Sequence, residues 1–290
     1  MLKEGIGGFC MALADSVPGV SGGTVAFIMG FYDSFISAIH HLVFGKRKEK
    51  RAAITYLFKL GIGWIIGMVL AILILSVLFE SHIYTVSSLF IGFIAGSIPL
   101  VIKEEKASFC EVRKGILFCF VGIVLVAGIT WLNGNVGKTS MDLSHFSIGL
   151  GIKLFLIGMI AISAMFLPGI SGSTLLLIFG AYIPVISAIR EFLRLNFTYL
   201  PCLIFFGFGI LIGAATIVKG IKFCLEQYRP QTVYMILGMM LASFYAIIQG
   251  PSTLDLPKEA MNLGNFQLLP CLIGATLLVS MQKMKEVNEK

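Results

Sequence analysis

PGVSGGTVAFIMGFYDSFISAI at residues 18–39 returns as PGISGSTLLLIFGAYIPVISAI at residues 168–189, identical at 12 of 22 positions. With a slightly shorter offset the register continues: Gly61, Gly63 and Gly67 match Gly207, Gly209 and Gly213, Glu80 matches Glu226, and Gly92 matches Gly238. The whole chain is a duplication, with halves 1–145 and 146–290.

The chain of 290 residues is 57% hydrophobic and 13% charged, more apolar surface than one water-soluble core can hide. Its apolar stretches run to about 20 residues, enough to cross a hydrocarbon layer of about 30 Å. Each half reads as a broken motif segment, 5–44 or 146–195, followed by three full spans. These fall at 54–79, 84–102 and 114–132, then at 199–225, 231–249 and 266–282. The fold class is an all-α integral membrane protein with one membrane domain. The net charge of +7 sits on Lys and Arg in short loops between spans, which is topology signal and not a nucleic-acid surface. The six cysteines are scattered, mostly in apolar segments, with no C-x-x-C pair and no histidine at ligand spacing. They read as small core residues, and neither a metal nor a cofactor is expected. Asp15 and Pro18-Gly19 interrupt the first apolar run, so no cleaved leader is expected.

The parity of the motif segment decides the architecture. If it re-enters and leaves on one side, each half crosses three times and the halves are inverted; if it crosses, they are parallel. The inverted arrangement places 17 of the 22 basic residues on one side, and the better parallel one places 13 there. The positive-inside rule therefore favours two inverted repeats, each a re-entrant broken helix plus three transmembrane helices, with both termini cytoplasmic.

Pro18-Gly19 and Pro168-Gly169 break the helical pattern, because proline lacks a backbone donor and glycine adds backbone freedom. Ser21, Gly22, Gly23 and Thr24 follow one break, and Ser171, Gly172, Ser173 and Thr174 the other; their hydroxyls can cap the next half-helix. Non-helical backbone at membrane depth must be buried in protein or line an aqueous cavity, so the two breaks should meet. Where they meet, free N–H groups and hydroxyls would make an anion receptor, a design that recurs in secondary transporters. Close helix packing is the competing explanation for the same small residues, and the preferred one for the Gly61/Gly63/Gly67 and Gly207/Gly209/Gly213 stripes.

ADSVPGVSGGTVAFIMGFY (14–32) and AMFLPGISGSTLLLIFGAY (164–182) resemble the paired signatures of the polyprenyl-phosphate transporter family, over essentially the whole chain. The resemblance implies a bacterial plasma-membrane protein. Its implied role is moving undecaprenyl phosphate, the lipid carrier of wall-polymer synthesis, from the outer leaflet to the inner one. It assigns substrate binding to Pro18, Gly19, Ser21, Gly22, Gly23 and Thr24, and to Pro168, Gly169, Ser171, Gly172, Ser173 and Thr174, with Asp15 beside the first break. Met165 stands where the second half would repeat Asp15. A monophosphate head wants N–H and hydroxyl donors while its tail stays in membrane lipid. Arg190 and Arg194, near the outer entrance, could draw the head in, although such residues also snorkel to the interface.

Asp15, Glu80 and Glu226 are candidates for coupling to protons or another cation; helix capping for Asp15 and solvated helix ends for the two glutamates are the alternatives. A small-anion transporter or channel is the competing function. An intramembrane serine hydrolase, suggested by Gly19-Val20-Ser21-Gly22 and its repeat, lacks a base, since none of the four histidines is placed to reach Ser21 or Ser171. The chain is not expected to be an enzyme.

Overall fold

Helix starts follow local chemistry. Pro201 and Pro230 sit in the first turns of their helices, where a missing N–H costs nothing, and Glu49 accepts from the Lys46 N–H at 2.6 Å to fix another start. The computed structural model describes the chain except residues 1, 16–20, 72–75, 107, 111, 136–140, 144–145, 254–257 and 277–290. Among the described residues all regular structure is helical. The first half contains α1 (Leu2–Asp15), α2 (Gly22–Ile28), α3 (Tyr32–Phe44), α4 (Arg47–Leu70), α5 (Ser76–Glu104) and α6 (Val112–Asn135). The second contains α7 (Ile148–Phe166), α8 (Gly172–Ile178), α9 (Tyr182–Leu193), α10 (Leu200–Gln227) and α11 (Arg229–Gln249), then α12, described over 268–276. The order of the first three helices repeats between the halves, so each motif segment contains a longer helix, a short helix and a third helix, with residues 16–20, between α1 and α2, outside the described residues.

Six described helices are long and apolar enough to cross a bilayer: Arg47–Leu70, His82–Lys103, Gly115–Asn133, Ile148–Phe166, Leu200–Gln227 and Arg229–Ser252. The chain is a multi-pass membrane protein. Ile148–Phe166 lies within what the sequence presents as the second motif segment; capped by Ser147, it is one unbroken helix of 19 residues, long enough to cross. The expected span 54–79 is α4 up to Leu70, with 72–75 outside the described residues, and the expected span 266–282 is described only to residue 276.

Glycines set the helix crossings. A β-carbon at Gly63 would run into the Gly5 carbonyl, one at Gly8 into that of Leu60, and one at Gly67 would lie 2.6 Å from the Phe9 oxygen. The second half repeats this between α7 and α10, with Gly209 against Phe155, Gly158 against Phe206 and Gly213 against Met159. Gly61 and Gly207 have nothing within 4 Å. Two members of each glycine stripe are thus contact points for a neighbouring backbone, and the third is not.

The same contacts give direction. Along α1, Gly5 faces Lys59 and Gly63 of α4 while Phe9 and Ala12 face Gly67; along α7, Gly151, Phe155 and Met159 face Phe205, Gly209 and Gly213 of α10, so numbering rises together and each pair runs parallel. The remaining pairs join the halves. Gly115, Cys119 and Gly122 of α6 lie against Tyr234, Gly238 and Met239 of α11, and Gly92 and Gly96 of α5 against Cys271 and Ala275 of α12, again with numbering rising together. One apolar core runs through both halves, with Ala26, Ile36, Ile94, Val233 and Met240 fully enclosed. Phe58, Leu117, Phe120, Phe208 and Leu211 face outward at more than half exposure, the surface lipid would cover.

Gly63→Leu or Gly209→Leu should push a backbone away and lower stability by about 1–3 kcal/mol or more. Gly61→Ala and Gly207→Ala should be neutral or stabilising, since Ala favours the helix over Gly by about 1 kcal/mol. Thermal-unfolding midpoints of the detergent-solubilised variants check the contrast.

Candidate functional site

The proline-glycine break interrupts a helix and leaves backbone groups without intrahelical partners. In the second half, α7 ends at Phe166 and the chain turns through Leu167, Pro168, Gly169 and Ile170 before α8. Gly169 has φ +83°, and a β-carbon there would lie 2.7 Å from the Met239 oxygen of α11, so both conformation and space call for glycine. Its buried N–H donates to Thr24 Oγ1 at 2.7 Å and to Ser21 Oγ at 3.1 Å. Ser21 Oγ in turn donates to the Leu167 carbonyl at 3.2 Å. The motif of one half therefore closes the break of the other.

With the Ser21 proton on Leu167, the 3.0 Å contact between the Ser21 and Thr24 hydroxyls is supplied by the Thr24 proton. Ser21 Oγ also accepts from the Thr24 N–H at 3.2 Å, capping α2 as its residue type predicts. Both side chains are 1% exposed. The Ser21 hydroxyl thus delivers its proton to a carbonyl and not to a base, which is not the setting of an activated nucleophile.

Gly22 and Gly23 clear the remaining approaches. A β-carbon on Gly22 would lie 2.8 Å from an Asp15 oxygen, and one on Gly23 3.0 Å from the Phe166 carbonyl oxygen. Asp15, at the end of α1, accepts from the Gly22 N–H at 2.7 Å and from Trp64 Nε1 at 3.1 Å. Its carboxylate bridges the first break, and the two N–H donors offset the cost of enclosing a charge. At the matching place in the second half, Met165 lies beside Gly172. The Tyr32 hydroxyl, 2% exposed, donates to the Phe166 carbonyl at 2.8 Å and so pins the residue that leads into the second break.

The structure brings together Ser21, Gly22, Gly23, Thr24, Gly169 and Asp15, and places Pro168 and Gly172 buried alongside with Ser171 starting α8. Pro18 and Gly19 lie outside the described residues, as do the side chains of Ser173, Arg190 and Glu80. Thr174 is partly buried in the first turn of α8. Glu226 stands apart on the last turn of α10, 60% exposed and 3.9 Å from Lys222, and Arg194 pairs with Glu191 on the surface. Trp64 and Tyr32 were not singled out from sequence. Tyr32 had a signal there, since it repeats as Tyr182 inside the duplicated segment.

A family model described as undecaprenyl phosphate translocase-like matches residues 11–263. A Staphylococcus aureus protein named polyprenyl-phosphate transporter is 39% identical over 251 residues, covering 85% of this chain and 86% of its own length. A Vibrio cholerae protein of the same name is 31% identical over 258 residues, covering 86% of this chain and 78% of its own. No solved structure matches.

Replacing both acceptors, with Ser21→Ala and Thr24→Val together, strands the buried Gly169 N–H and should cost about 1–3 kcal/mol. Thr24→Ser, which keeps an acceptor, should cost distinctly less. Thermal unfolding in detergent reads both; equal midpoints for the double variant and the parent would show the bond to be dispensable.

Proposed function

This chain belongs to the undecaprenyl phosphate translocase-like family, and from that premise we propose that it is a polyprenyl-phosphate transporter whose two motif segments form the headgroup station. The observation that carries the site is the pair of hydrogen bonds from Gly169 to Ser21 and Thr24, which join the two motif copies across the repeat. A phosphate oxygen can take the place of those hydroxyl oxygens on the Gly169 N–H, and the hydroxyl protons can then turn onto the phosphate. The station described above is the closed form of such a receptor. The polyprenyl tail needs no polar path and stays against the apolar outer surface.

The two halves are inverted repeats, 1–145 and 146–290. Parallel α1 and α4 support this, because the chain must return to the starting side between them, as it must between α7 and α10. The motif segments are then re-entrant. Three crossings per half make α6 parallel to α11 and α5 parallel to α12, the directions their contacts have, whereas motif segments that crossed would make α6 and α11 antiparallel. Basic loops place both termini in the cytoplasm of a bacterial cell. Rocking one half against the other would expose the station to each leaflet in turn, moving lipid phosphate from the outer to the inner leaflet for reuse in wall-polymer synthesis.

Asp15 gives this cycle a coupling group. Its carboxylate occupies the Gly22 N–H next to the station, so a phosphate arriving there meets like charge. Proton uptake by Asp15 removes that repulsion and weakens its hold on the Gly22 N–H, which links headgroup binding to protons. Arg190, a residue of α9, would act as an outer guide for the headgroup.

A leaflet-resolved assay in proteoliposomes offering undecaprenyl phosphate, its diphosphate and inorganic phosphate in parallel tests the reading. The lipid monophosphate should move in preference to both. Movement of inorganic phosphate alone would make the protein a small-anion carrier. Asp15→Asn should transport at a rate indifferent to the pH gradient; parent protein that ignores both pH gradient and membrane potential would refute coupling.

A further inference from the structure

A cavity of about 210 Å³ is lined by Phe27, Tyr32, Asp33, Val101, Glu105 and Arg229 among others. Arg229, the first residue of α11, belongs to the second half; Asp33, in the first turn of α3, and Glu105, just past α5, belong to the first. The guanidinium grips Glu105 with two donors, Nε on Oε2 at 3.1 Å and Nη2 on Oε1, and reaches Asp33 Oδ2 with Nη1 at 2.7 Å. Glu105 is the enclosed partner, its side chain 16% exposed against 42% for Arg229 and 48% for Asp33. Two-point binding of arginine to a partly enclosed carboxylate is far more specific than a surface ion pair. The Ser108 hydroxyl fixes the same carboxylate from the other side at 3.0 Å.

The cluster is mechanically tied to the motif segments. Asp33 follows Tyr32, whose hydroxyl holds the Phe166 carbonyl at the second break. A shift of α3 against α11 therefore disturbs the Asp33–Arg229 pair and the support of that break together. The repeat register supplies a comparison inside the same chain. The positions matching Asp33, Glu105 and Arg229 are Ile183, Pro251 and Ile83, so the equivalent place in the other repeat has no charge with which to form such a pair.

We infer that Asp33, Glu105 and Arg229 form a one-sided latch that holds the two halves together at the pole carrying Lys103, Lys106, Lys219 and Lys222. The inference rests on the transporter reading and adds to it an inequality between the two openings. Parting the halves at this pole breaks charged hydrogen bonds, while the matching positions at the opposite pole part without breaking any. The substrate-free protein accordingly rests with this pole closed.

The test places a cysteine on the cavity wall, Val101→Cys, in a full-length background with the native cysteines replaced by alanine. The protein sits in lipid nanodiscs, where both faces meet a polar maleimide. Val101 is 2% exposed, so reaction should be slow in the latched parent. Arg229→Gln should raise the labelling rate at least fivefold, and Asp33→Asn about twofold. The exchange Glu105→Arg with Arg229→Glu, made together with Asp33→Asn so that the new glutamate meets no second carboxylate, rebuilds the pair with its charges reversed and should return the rate to near that of Asp33→Asn alone. An unchanged rate in both Arg229→Gln and Asp33→Asn would overturn the latch, as would an exchange variant labelling as fast as Arg229→Gln. Monodisperse elution is required of each variant, and the milder Asp33→Asn keeps the test decisive if Arg229→Gln does not fold. Labelling needs no lipid to move, so this result reads separately from the proteoliposome assay.

Discussion

A helix broken inside a bilayer must find partners for the backbone groups it frees, because the surrounding hydrocarbon offers none. This constraint organises the molecule. The second break is satisfied by the Ser21 and Thr24 hydroxyls of the first motif, and the first break is bridged by Asp15 reaching Gly22. The two solutions differ in reach: the Asp15 bridge lies within the first half, whereas Gly169 needs the other repeat, and Gly23 is glycine so that the Phe166 carbonyl of that repeat can approach. The duplication is therefore more than a record of ancestry. The second half depends on the first for the backbone groups its break frees.

The helix crossings serve the same end. Ser21 can reach Gly169 only if the flanking helices hold the breaks at a fixed depth, and they are held by backbone contacts at Gly8, Gly63 and Gly67 and their counterparts Gly158, Gly209 and Gly213. Without a hydrophobic drive between helices in lipid, such close approach is a principal source of attraction. The exchange of partners between halves, α6 with α11 and α5 with α12, closes the arrangement. A rocking motion of the repeats must then slide along these seams or carry them as rigid bodies.

Much of this was legible in the sequence because duplication converts weak patterns into strong ones. A single Pro-Gly inside an apolar run is ambiguous, but two in register at matching depth mark a paired break, and all-helical architecture follows from apolar length alone. Other features carried no such signal. Gly61 and Gly207 look the same as Gly63 and Gly209 on paper, and only the rotation of the helix against its neighbour separates an open position from a contact. Ile148–Phe166 reads as part of a motif segment from its place in the repeat, yet its uninterrupted length makes a helix long enough to span. Trp64 and Arg229 gave nothing away, since their partners lie far off in sequence and neither residue repeats.

The residues that do not repeat are where the two halves have taken different tasks. A symmetric inverted pair would give two faces of equal energy and a cycle without preference. Asp15 stands opposite Met165 at the two breaks, and Arg229 opposite Ile83, so the ion cluster at one pole is not repeated at the matching positions of the other. The first difference can make headgroup binding depend on a proton, because a carboxylate and a phosphate compete for neighbouring donors. The second can make one opening harder than the other, because a guanidinium must leave its carboxylates before α3 and α11 separate. In the proposed cycle, symmetry would supply the two states and the station between them, and the departures from symmetry would give the traffic through it a direction.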